Sequence, residues 1–179
     1  MKDLVADSSF YLCFLEDICS PSDLVAIIDN FRAHLTPLIH KEIKRSINFS
    51  SIDQHANINI FSTPSFNIGE LVKPFFSKKE ISKGEHEIVV AAYFIYNTNR
   101  DIIIIIDEKG PRQFIINHLP ELIPFLTGTV GMVGSCYYTF AIMDKQKTLN
   151  LLDQIGSSRF RVTQKILNEI KEKVVNHRD

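Results

Sequence analysis

Cysteine is scarce in this chain, and a surplus of charge is missing altogether. The three cysteines, Cys13, Cys19 and Cys136, include no Cys-x-x-Cys pair. An odd, scattered set fits neither a disulfide framework nor a zinc knuckle, and it suits a reducing cytoplasm. Lysine and arginine total 20 against 21 acidic side chains, a formal charge of −1. Such balance argues against a nucleic-acid coat or a polybasic membrane binder. The longest uninterrupted apolar stretch, Ile88 to Tyr96, falls well short of the ~20 residues of a membrane helix. A signal peptide is not expected, because Asp3 and Asp7 interrupt the apolar core it would need. No internal repeat or low-complexity linker is present. The histidines (His34, His40, His55, His86, His118 and His177) lack metal-ligand spacing such as His-Glu-x-x-His. What remains is an ordinary globular mixture: 179 residues, 45% apolar and 23% charged, enough for one domain with its own core.

Along the chain, short apolar strands alternate with helical segments. Residues 2–7 read as a strand ending on Asp7, and either Ser8 or Ser9 is placed to cap the helix that Phe10 to Ile18 would form. Pro21 marks a break, with Ser22 as cap of a second helix running through Ile28 and Phe31. Leu35 to Pro37 reads as a turn or brief strand that feeds a third helix, with Thr36 as cap and Pro37 in its first turn. Asn57 to Phe61 alternates as a strand, and a further helix starts near Ile68, ended or kinked by Pro74. Glu87 then opens a run, IVVAAYFIY, that is apolar almost all round and predicts a helix buried inside the domain. Ile102 to Ile106 is an unbroken β-branched run, the signature of a strand covered on both faces, and it stops at Asp107-Glu108. A short helix over 111–117, a brief strand over 123–126 and helices over about 130–143, 145–155 and 164–175 complete the pattern. Strands and helices in alternation predict a three-layer α/β/α sandwich on a parallel sheet. The whole chain, 1–179, is expected to form one domain, its C-terminal helices (about 145–176) packed as an extension.

Carboxylates occupy the positions where chemistry is expected. In an open parallel sheet the functional crevice lies beyond the carboxyl ends of the strands. Asp7 and Asp107-Glu108 end two strands, Glu87 opens the apolar helix, and Glu42 sits within another. Converging acids repel one another and raise each other's pKa, and a hard divalent cation such as Mg²⁺ or Mn²⁺ relieves that repulsion with oxygen ligands. Each acid also has an ordinary alternative: a solvated turn, a favourable helix N-terminus, or for Glu42 an ion pair with Arg45 three residues on.

Five segments in order, VADSS, HKEIKRS, KGEHEIVVAAY, IIIIIDEKGPR and TGTVGMV with a two-helix tail carrying FRVT, resemble the PIN-domain nucleases, in particular the small VapC-like toxin type. The likeness runs from Leu4 to about Val174. It implies a carboxylate pocket for one or two Mg²⁺ or Mn²⁺ ions and cleavage of single-stranded RNA. Matched by position, Asp7, Glu42, Glu87 and Asp107 are the acids; Asp7, Glu87 and Asp107 or Glu108 hold metal, while Glu42 orients a water. Glu85 lies about 200° around the helix from Glu87 and faces elsewhere. Gly110-Pro111 departs from the small helix-opening residues usual after the last acid, and the stretch 48–66 matches only loosely.

Ser8, Arg112 and Thr129 are substrate-binding candidates, with helix capping as the alternative for Ser8 and Thr129. Lysine and arginine clusters at 41–45, 78–83 and 109–112 would grip RNA phosphates where they flank the crevice, or else form solvated faces. The resemblance further implies a homodimer and an antitoxin protein as partners. A catalytically silent PIN-fold module that binds RNA or protein is the alternative. A haloacid-dehalogenase-type phosphatase is disfavoured, since the second aspartate it needs is Ser9; a receiver domain is disfavoured by the single acid at the Asp7 turn.

Overall fold

The computed structural model describes residues 1–61, 83–99 and 101–177. The expected helix near Ile68 lies outside them. Five strands form an all-parallel sheet: β1 (Lys2–Ala6), β2 (Phe31–Leu35), β3 (Ile58–Ile60), β4 (Ile102–Ile105) and β5 (Leu126–Thr127). Their order is β3-β2-β1-β4-β5. The chain thus builds outward from β1 in one direction, then crosses to β4 and builds in the other. The gap between the carboxyl ends of β1 and β4 is the switch point at which such sheets bind ligands.

Helices cover both faces, giving the α/β/α sandwich. The β4 side chains Ile102 to Ile105 are all buried, as expected for a strand roofed on both sides. Registers Asp3↔Arg32 and Val5↔His34 put these four residues on one face, with Leu4, Ala33 and Leu35 on the other. Over the Asp3 face lies α4 (Lys83–Thr98), which packs on β1 and β4 and ends just before Asn99, whose amide reaches Asp3 at 2.6 Å. Beside it runs α5 (Lys109–His118). The opposite face carries α2 (Pro21–Ile28) and the C-terminal trio α6 (Thr129–Tyr138), α7 (Lys145–Ser157) and α8 (Gln164–Asn176). Phe140, just after α6, meets Phe31 of β2 edge-on at 5.1 Å. Arg159 bonds Asp17 at 2.5 Å and Glu16 at 3.1 Å, and Lys147 pairs with Asp23 at 2.6 Å, tying the trio to the N-terminal helices.

Several boundaries differ from the sequence expectation. The cap of α1 (Ser8–Leu12) is Asp7 itself, whose Oδ1 accepts from Phe10 N at 3.1 Å; Ser8 and Ser9 lie inside the helix. The segment then widens into a π-helical turn, Cys13–Asp17. α2 starts at Pro21 after Ser20 rather than behind a Ser22 cap. Phe31 belongs to β2, not to the preceding helix. Thr36 caps α3 (Pro37–Ile43) as expected, with Pro37 at its start. Residues 120–125 form a 3₁₀ turn where a strand was expected, leaving β5 only Leu126 and Thr127. In α4, residues 88–92 and Ile95 are buried, but Tyr93 and Phe94 are 43% and 39% exposed, so this helix shows one face to solvent.

Candidate functional site

β1 and β4 deliver Asp7 and Asp107 to the switch point. Asp7 N–H extends the ladder by donating to Ile105 O at 2.9 Å, which fixes the carboxylate just past the strand end. The two acids, 100 residues apart in sequence, are joined directly: Asp107 N–H donates to Asp7 Oδ2 at 2.7 Å. Asp7 is 7% exposed. Burial, then the charge of Asp107, pushes its pKa up to about 6, against the pull of N–H bonds from Asp107, Phe10 and Glu108.

Thr129, wholly buried at the start of α6, orients Asp107. Its Oγ1 donates to Asp107 Oδ2 at 2.5 Å, and its N–H lies 3.0 and 3.2 Å from Oδ1 and Oδ2. Burial still raises the Asp107 pKa, with the Thr129 bonds and the nearby Arg112 charge opposing. Gly128 makes this approach possible: a Cβ there would stand 2.8 Å from Asp107 Oδ1. Gly128, not Thr129, occupies the cap position of α6. Of the two readings of Thr129, the carboxylate partner is therefore the observed one.

Arg112 reaches the same place from α5. Its Nη1 donates to Ile106 O at 2.7 Å and to Thr127 O at 2.9 Å, clamping the ends of β4 and β5 together. Glu108 is exposed at the N-terminal cap position of α5, without a side-chain capping bond, and its N–H turns toward Asp7. Of the adjacent pair of acids, the strand end thus turns Asp107 into the crevice and Glu108 toward solvent.

The other expected acids are placed differently. Glu87 Oε2 accepts from Leu38 N at 3.0 Å, occupying an N–H in the first turn of α3. Glu42 is exposed on α3, one turn beyond Leu38, about 6 Å further along the axis. Ser8 is half-buried in the first turn of α1. Among the described residues, no three His, Cys, Asp or Glu side chains gather as a ready-made metal site. The structure joins Asp7, Asp107, Thr129 and Arg112, and links Glu87 to α3. Asp7 and Asp107 nonetheless suit a hard cation chemically: carboxylate oxygens, an acceptor lone pair left on the Asp7 carboxylate after its three N–H bonds, and a Gly128 cradle that keeps the approach open.

A second polar cluster, unforeseen from sequence, lies toward the amino end of β1. Buried Asp3 accepts from His34 at 2.7 Å and Asn99 at 2.6 Å, with Arg32 at 3.5 Å. The alternation of Arg32 and His34 with Phe31, Ala33 and Leu35 was its only sequence signal. Compared with known proteins, the chain matches no family model, no curated protein and no solved structure.

Proposed function

We propose that the chain is a Mg²⁺- or Mn²⁺-dependent endoribonuclease of the PIN type, acting on single-stranded RNA at the Asp7–Asp107 crevice. The observation that carries this reading is the Asp107 N–H bond to Asp7 Oδ2, which couples two carboxylates at the switch point of a parallel sheet. Burial and mutual repulsion make the Asp7 charge costly, a cost that a dication relieves. Asp7 and Asp107 would hold the ion, which when bound supplies a Lewis acid that polarises phosphoryl oxygen and activates water.

The chain's own groups do the rest. Thr129 keeps Asp107 turned inward, and Glu42 is the acid assigned to orienting the attacking water. Glu87 braces α3, which carries Glu42. Arg112 fixes the strand ends and adds positive charge beside Asp107, where an RNA phosphate would approach. An antitoxin partner and a homodimer belong to the same reading. Cytoplasmic residence agrees with three free thiols, and no helix among the described residues is long and apolar enough to cross a membrane.

A catalytically silent module that binds RNA or protein is the second reading, favoured by the separate anchoring of Glu87 and the exposure of Glu42. Incubating single-stranded RNA with the protein in Mn²⁺, Mg²⁺ or EDTA separates the two. Metal-dependent cleavage, reduced at least about 100-fold in Asp7→Asn and in Asp107→Asn, is expected. RNA retention without cleavage would establish the silent module, and undiminished cleavage by either variant would remove that acid from the mechanism.

A further inference from the structure

One turn past Asp7 stands a hydroxyl with nothing to bond among the described residues. Tyr11 is fully buried, and its Oη has no hydrogen-bond partner among them. The ring is held by Phe10, edge-on at 5.2 Å, within an aromatic cluster that Phe14 completes by meeting Phe10 at 5.5 Å. That packing needs the ring and not the oxygen. Asp7 and Tyr11 are four residues apart at the start of α1, which sets them on one side of the helix. The Asp7 charge acts on the phenol and, after burial, raises its pKa further, so the group remains a neutral O–H donor. A buried hydroxyl left unsatisfied costs stability, and buried tyrosines ordinarily find a partner. Here the stranded oxygen lies within electrostatic reach of Asp7, one of the two carboxylates assigned to cation binding.

We propose that Tyr11 is a positioning residue of the Asp7 site, its O–H donating to a water that bridges it to the Asp7 carboxylate when a divalent cation is bound. This rests on the cation-dependent reading above. The hydroxyl then costs stability in the empty protein and contributes in the loaded one, by fixing the orientation of Asp7 as hydrogen-bonded neighbours of metal ligands do.

The test is Tyr11→Phe in the full chain, beside wild type and Asp7→Asn, with Mn²⁺ as the probe. Two effects of opposite sign are expected. Without metal, Tm rises by about 2–4 °C because an unpaired buried hydroxyl is gone. With metal, Mn²⁺ affinity, followed by water-proton relaxation and by thermal shift, falls about tenfold. A lower Tm without metal would show that the hydroxyl has a structural partner, and would overturn the proposal. So would Mn²⁺ affinity and relaxation equal to wild type in Tyr11→Phe while Asp7→Asn abolishes binding, an outcome that leaves the cation site itself standing. Absence of any Mn²⁺ response in wild type would overturn both.

Discussion

Asp7 carries the sharpest consequence of any single residue. Its folded pKa, about 6 against an ordinary 3.8, means that the folded chain holds this proton more tightly than the unfolded one. Stability from this group is therefore full below pH 4, is lost as pH rises from about 4 to 6, and stays lost above that; the difference is about 3 kcal/mol. Asp107, also raised, adds in the same direction. Denaturant titrations of wild type and Asp7→Asn in metal-free buffer should diverge across that window by about 3 kcal/mol, with the wild type the more pH-sensitive. Parallel curves would mean that Asp7 is not buried as a charge. At this scale the sequence was informative where an acid ends a strand: Asp7 and Asp107 were both legible. It could not separate Asp107 from Glu108, because the choice depends on which way the chain turns after Ile106. Nor did it mark Gly128 or Tyr11, whose roles are one of empty space and one of a missing partner.

Among the elements, α6 is tightly constrained by what lies against it. A Cβ at Gly134 would stand 2.6 Å from Ile170 Cγ2 of α8 and 3.1 Å from the Tyr138 ring. Alanine normally favours a helix interior over glycine by about 1 kcal/mol, yet overpacking costs about 1–3 kcal/mol. Gly134→Ala is thus expected to lose about 1–2 kcal/mol in chemical denaturation. An unchanged or raised midpoint would show that α8 yields easily. Element legibility followed packing. The five isoleucines announced β4 because both of its faces are covered, and Thr36-Pro37 announced α3 through its own capping chemistry. β2 was hidden because Arg32 and His34 interrupt its apolar run, and the polar face they make is satisfied by Asp3 and Asn99 from distant parts of the chain. β5, two residues long, is defined by Ile104 and Ile105 alongside rather than by its own composition.

The whole molecule depends on its last two helices. α7 and α8 bury Leu151, Leu152, Ile155, Leu167 and Val174 against the rest. At roughly 2 kcal/mol each, these contribute about 10 kcal/mol, comparable to the net stability of a domain. A chain ending at Met143 is expected to lose its cooperative melt and to bind a hydrophobic dye. A sharp two-state transition in that fragment would mean that the sheet and its first helices suffice. The α/β/α layering was legible from alternation alone, whereas which strands adjoin was not, because strand order is set by crossovers that leave no local mark. From that order comes the meeting of β4 and β5, beside β1, that Arg112 pins at its β4 and β5 ends. Its two acceptors there are backbone carbonyls, which carry no proton to lose. The crevice therefore has a fixed frame around a titrating interior: souring the medium would drain its negative charge while leaving its contour intact, so that the proposed grip on a cation would weaken without any remodelling of the backbone.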